Sequence, residues 1–114
     1  MANDAVYVNL DEGLARLMNN RTLYVRLLAK FKNGTSTEAL ETAFAAGDVD
    51  KAIGEAHTLK GLAANLSLSE LTQRCLELES QAKGGTLHPQ CLDALKAAFA
   101  ATIGEIEKVV AENG

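Results

Sequence analysis

Between Asp48 and Leu66 the run DVDKAIGEAHTLKGLAANL sets Val49, Ala52, Ile53, Ala56, Leu59, Ala63 and Leu66 three or four residues apart. At about 100° per residue these positions form one stripe, so the segment is predicted to be an amphipathic helix burying one side. Two glycines break its own rule. Gly54 and Gly61 stand three residues before and four after His57, on the same helical face, with Ala64 one turn further on. Each glycine inside a helix costs about 0.5–1 kcal/mol relative to alanine. A helix that accepts two around one imidazole leaves that ring without bulky neighbours, and Lys60 adds a cation one turn away. A break in local preference with no visible structural gain points to function.

A bared imidazole beside an ammonium suits a nucleophile that must meet a bulky anionic group carried on another macromolecule. Neutral imidazole is a good nucleophile near neutral pH. Phosphoryl transfer to it asks mainly for positioning and for neutralisation of the equatorial oxygens, part of which Lys60 could supply. Plainer readings exist for each residue. A histidine at the edge of an apolar stripe is more often structural or solvated, either glycine could serve a close helix crossing, and Lys60 could be a solvated charge. His88 lies in the connection between Gly84-Gly85 and Pro89 with no lysine or glycine at matching spacing, and reads as a loop residue.

Along the rest of the chain the same period recurs between breakers. A short apolar segment runs to Leu10, followed by Leu14, Leu17 and Met18 at helical spacing, and Asn19-Asn20 ends that element. A second helix is predicted from about Arg21 to Lys32 with Leu23, Leu27, Leu28 and Phe31 inward. Asn33-Gly34-Thr35-Ser36 is a breaker. Thr35 with Glu38 then offers a capping box before Ala39, Leu40, Ala43 and Phe44, the alternative being one long helix kinked at that point. Gly47 should close this element and Asp48 cap the histidine helix, with Asp50 near its positive end. Ser67 with Glu70 reads as a capping box opening a helix from about Leu68 to Lys83, stopped by Gly84-Gly85. Pro89, the only proline, belongs in the first turn of a final helix carrying Leu92, Leu95, Phe99, Ile103, Ile106 and Val110. The charges of Glu105, Glu107, Lys108 and Glu112 read as a solvated face. Four long elements with short connections predict an all-α, antiparallel up-down four-helix bundle with a short additional N-terminal helix, and residues 1–114 form a single domain.

A length of 114 residues and 47% hydrophobic content fit one domain with one core. Aromatic residues are only 4% and Trp is absent, which favours closely packed helices over a sheet. A net charge of −4 argues against nucleic acid as partner. The start MANDAVYVNLDEG has no basic region followed by a long apolar run, and no window approaches 18 apolar residues, so no membrane association and a cytoplasmic location are expected. Cys75, beside Leu71 and Leu78 on an apolar face, and Cys91 near the start of the last helix read as small core residues in a reducing compartment.

His57-Thr58-Leu59-Lys60-Gly61 followed by Leu62-Ala63-Ala64-Asn65-Leu66 resembles the signature of histidine-containing phosphotransfer (HPt) domains of two-component phosphorelays. The likeness extends over nearly the whole chain. Asp11-Glu12-Gly13-Leu14 and Leu23 to Phe31 resemble the family's opening helices, Ala43 to Asp48 its run into the histidine helix, and Cys75 to Glu79 the helix after it. One position departs: the family usually has glycine where Ser67 stands. The turn should survive, with strain on serine if the backbone there needs a positive φ.

The resemblance implies a carrier acting as a monomer. His57 would accept a phosphoryl group through Nε2 from an aspartyl phosphate and later give it to another aspartate, Lys60 would contact the phosphoryl oxygens, and Gly61 would leave room for the approaching receiver. Glu79 matches the position of a Glu or Gln that hydrogen-bonds Nδ1 and fixes the tautomer, although from sequence alone Glu77 and Gln73 are rivals. Partners would be response-regulator receiver domains and a hybrid sensor histidine kinase. Docking would use the face of Gly54, Gly61 and Ala64 together with apolar residues of the early helices, Leu17 or Met18. The chain lacks a Gly-rich nucleotide loop and a magnesium-ATP pair, so no ATP-dependent kinase activity is expected. It should bind no cofactor or metal of its own, the receiver bringing Mg2+. Two other classes compete: a docking module in which His57 carries no phosphate, and a metal site built from His57, His88, Cys75 and Cys91, whose spacing matches no compact ligand pattern.

Overall fold

The computed structural model describes residues 6–113; the first five residues of the apolar opening segment, and Gly114, lie outside it. Six helices follow in order: α1 (Leu10–Arg16), α2 (Arg21–Gly34), α3 (Glu38–Ala46), α4 (Val49–Asn65), α5 (Ser69–Lys83) and α6 (Pro89–Asn113). There is no strand among the described residues. The four long helices are α2, α4, α5 and α6, and α3 is a second short helix in addition to α1. The ring of contacts runs α4 on α5, α5 on α6 and α6 on α2, with α3 against α4. Helices α2 and α6 are antiparallel: Arg21 at the start of one bonds Asn113 at the end of the other, and the rings of Phe31 and Phe99 pack further along.

The stripe predicted for α4 is the buried one, with Ala52, Ala56, Leu59 and Ala63 inside the core. Their small size lets α5 come close, and Leu71, Cys75, Leu78 and Ala82 of α5 are buried there too. The termini of α4 are set by local chemistry. Gly47 takes the left-handed φ of +66° that ends α3, and the Asp48 carboxylate accepts the Lys51 N–H at 3.1 Å. Cys75 is fully buried and its thiol is pushed up to about 12 by desolvation, while Cys91 is half-buried against the core.

Two expected capping boxes do not form. At the start of α3, Thr35 is extended and ends α2, and the Glu38 N–H reaches the Ser36 hydroxyl at 3.3 Å. The chain therefore breaks fully between α2 and α3 and does not kink through. At the start of α5 the Glu70 N–H donates to the Val6 carbonyl at 2.8 Å, and the Asn9 N–H donates to the Ser67 carbonyl at 2.9 Å. The N-terminal segment straps the turn and satisfies the orphan donor that the serine was expected to serve.

Ser67 is free of that duty because it closes α4. Its φ is +58°, its N–H donates to the Ala64 carbonyl at 3.1 Å, and the Leu68 N–H donates to the Ala63 carbonyl at 2.9 Å. This pair of bonds is a Schellman closure, whose left-handed position favours glycine. Serine carries the strain there, and its buried Oγ has no hydrogen-bond partner among the described residues. The Tyr24 hydroxyl holds the same turn, donating to the Leu66 carbonyl at 2.7 Å from a fully buried ring. Gly13 makes room for that ring, since a Cβ on it would run into the Tyr24 ring and hydroxyl. Ser67→Gly removes the left-handed penalty and the unpartnered hydroxyl, against the added chain entropy of glycine. We expect a gain of about 1 kcal/mol, read as a higher urea midpoint at unchanged slope; a lower midpoint would show that the turn holds serine at no cost.

Candidate functional site

The outer face of α4 carries His57 with its side chain 69% exposed. Gly54 and Gly61 are exposed on the same face, and a Cβ built on either meets nothing within 4 Å. Neither glycine serves a close helix crossing. Their cost in helix propensity is therefore not offset by packing within this chain, and the surface around His57 is left bare. Ala64 is half-buried on the same face, and the Thr58 hydroxyl turns back onto the Gly54 carbonyl at 3.0 Å.

Beneath the ring lies Glu79 of α5, whose side chain is 6% exposed. The register between α4 and α5 selects it from its rivals: Glu77 pairs with Arg74 at 2.9 Å, and Gln73 is turned to Glu77. Glu79 Oε2 stands 3.4 Å from His57 Nδ1, in reach but longer than a formed hydrogen bond. Its Oε1 accepts a 2.6 Å hydrogen bond from Lys60 Nζ, and Lys83 Nζ lies 3.1 Å from Oε2. The Lys60 hydrogen bond, aided by Lys83 and opposed by burial, draws the Glu79 carboxyl down to about 2. The carboxylate is thus charged throughout the physiological range. Lys60 rests on Glu79 here and does not point freely into solvent. Lys83 was not singled out from the sequence, although its i,i+4 spacing from Glu79 was a signal for it.

The two early-helix docking candidates differ in exposure. Met18 is 91% exposed, held out by a turn in which Met18 and Asn19 have φ of +55° and +62°. Leu17 is half-buried and lines a groove of about 830 Å³ between α2 and α4, two helices with little direct contact. Leu27, Phe31, Leu62 and Leu66 give the groove its apolar lining, and Arg16 and Lys30 supply cations. A groove between distant helices leaves no trace in local periodicity, so sequence reasoning found only Leu17 of it.

The helical bundle, the bared histidine and the carboxylate behind it agree with one family. The family model described as Hpt domain matches residues 30–105. The chain belongs to the Hpt domain family. No curated protein and no solved structure matches it. Membership places this Hpt domain in phosphorelay (two-component) signalling and implies interaction with response-regulator receivers. Among its described residues no helix is long and apolar enough to cross a membrane, and no three His, Cys, Asp or Glu side chains converge as metal ligands. The four residues of the alternative metal site, His57, His88, Cys75 and Cys91, thus have no such cluster to belong to.

Proposed function

We propose that this Hpt domain is a phosphorelay carrier in which His57 receives a phosphoryl group from a receiver aspartate and passes it to another receiver. The observation that carries the reading is the exposure of His57 between two glycines whose missing side chains leave room for nothing in this chain. A ring so exposed sits in no pocket of its own. A partner must therefore close over it and exclude water, and its acidic residues would hold the Mg2+ that neutralises the transferring group.

In the forward step the Nε2 lone pair attacks phosphorus in line, the N–P bond forms, the aspartyl O–P bond breaks, and the carboxylate leaves. Nδ1 keeps its proton throughout. As the bond forms the ring gains positive charge, and the Glu79 carboxylate facing Nδ1 favours that charge. Lys60, one turn from His57, rests on Glu79 and would leave it for the phosphoryl oxygens as negative charge arrives. The reverse sequence unloads the histidine onto a second aspartate. Gly54, Gly61 and Ala64 would form the floor under the receiver. The groove lined by Leu17, Leu27 and Leu62 would extend the contact, and the exposed Met18 would add to it.

The test is transfer of radiolabelled phosphate from phosphorylated receivers, with magnesium, to the purified chain. We expect a label that is lost in acid and kept in base, as the N–P bond of phosphohistidine requires. Receivers that bind the folded chain yet leave it unlabelled would overturn the carrier reading in favour of a docking module without phosphate.

A further inference from the structure

Three groups meet at one carboxylate. Oε1 of Glu79 is taken by Lys60 at 2.6 Å, while Oε2 is shared between Lys83 at 3.1 Å and His57 Nδ1 at 3.4 Å. Lys83 and the imidazole therefore draw on the same oxygen. A buried carboxylate facing an imidazole stabilises the imidazolium form, which has no lone pair on Nε2. An ammonium on the same oxygen opposes that pull and occupies the lone pairs through which it acts. Lys60 on α4 and Glu79 and Lys83 on α5 are the charged groups gathered here. Among the described residues no charged side chain of α3 or α6 pairs with any of them, the ion pair of Glu41 and Lys96 linking those two helices elsewhere.

We infer that Lys83 is a positioning residue for His57: by holding Oε2 of Glu79 it limits how far that carboxylate draws a second proton onto the ring, and so keeps Nε2 free. The inference rests on His57 being the reacting group, but its first readout needs no phosphoryl donor. Lys83 is 62% exposed at the end of α5, and the only described ion pair that holds it at the site is the one to Glu79. Its described contact at the site is with the carboxylate, through which it would act on the ring.

The experiment is a pH titration of the His57 ring by NMR with ¹⁵N-labelled imidazole, on the whole chain, in wild type, Lys83→Met and Lys83→Arg. In Lys83→Met the ratio of imidazolium to imidazole at a fixed pH should rise roughly threefold, as the loss of one partly screened charge predicts, and the acid limb of the transfer rate should move up in pH with it. Lys83→Arg should restore both. In a Glu79→Gln background the lysine has no anion to hold it, so adding Lys83→Met should change the ratio much less. Superimposable titrations of wild type and Lys83→Met, with the melting curve unchanged, would overturn the inference. So would an equal shift in both backgrounds, which would mean that Lys83 acts on the ring directly. A shifted titration with no transfer activity in any variant would instead leave Lys83 as tuner and remove the carrier reading.

Discussion

Glutamine in place of His57 should leave the bundle intact and abolish phosphoryl uptake. The ring is 69% exposed and its one described polar partner is Glu79 at 3.4 Å, so the folded state loses little when it goes. A change within about 0.5 kcal/mol is expected in urea unfolding, as for other surface positions. The chemistry has no substitute: an amide nitrogen has its lone pair delocalised and does not attack phosphorus, and His88 is half-buried in the loop before α6 with no lysine or glycine at the spacing seen around His57. Transfer from a phosphorylated receiver should fall by roughly 10³-fold or more, while the dissociation constant for the unphosphorylated receiver stays within about threefold, since glutamine is no larger than histidine. Retained acid-labile label in a folded His57→Gln chain would move the acceptor elsewhere and undo the assignment.

Gly61→Leu should separate stability from function in the opposite sense. The new Cβ meets nothing within 4 Å, and leucine is a better helix former than glycine by about 0.5–1 kcal/mol, so the variant should unfold at higher urea than wild type. The same side chain projects from the face beside His57 where a receiver must come close. Transfer should drop about 100-fold or more, with the loss residing in receiver binding, because a wedge that keeps a desolvated interface from closing costs several kcal/mol. Gly61→Ala should share the gain in stability with a much smaller loss. If Gly61→Leu is more stable and transfers like wild type, the bare face is not where partners dock. If it is less stable, the space above Gly61 belongs to the fold after all.

Those two variants touch the part of the molecule that the sequence states most openly. The α4 stripe, its Asp48 cap, the Gly47 stop and the glycines flanking His57 all follow from spacing within a single helix, where neighbours in space are three or four residues apart in sequence. The start of α6 at Pro89 is legible for the same reason. What fails is what depends on a distant segment. Ser67 and Glu70 have the pattern of a capping box, yet the Val6 carbonyl reaches the Glu70 N–H first, and the serine is drawn into a left-handed closure. Thr35 and Glu38 also have the pattern, but Thr35 is extended and Ser36 takes the role. The choice of Glu79 over Glu77 and Gln73 needed the rotation of α5 against α4, a quantity that no single-helix pattern carries. The buried Tyr24 and the groove between α2 and α4 were missed because both arise where elements far apart in sequence meet.

The strap from Val6 to Asn9 bears on where this domain can be cut. The family match spans residues 30–105, but the Leu66–Ser67 turn that ends the histidine helix is held from outside that span, by the Asn9 amide and the Tyr24 hydroxyl. Leu14, Tyr24 and Leu28 on one side of the span and Ile106 on the other are buried core. A fragment trimmed to the family boundaries would therefore expose apolar surface and loosen the far end of the helix that presents His57. The unit that folds, and that any fusion or transplant of this module into another signalling chain must preserve, is larger than the unit that is recognisable, and its N-terminal border lies before Asn9.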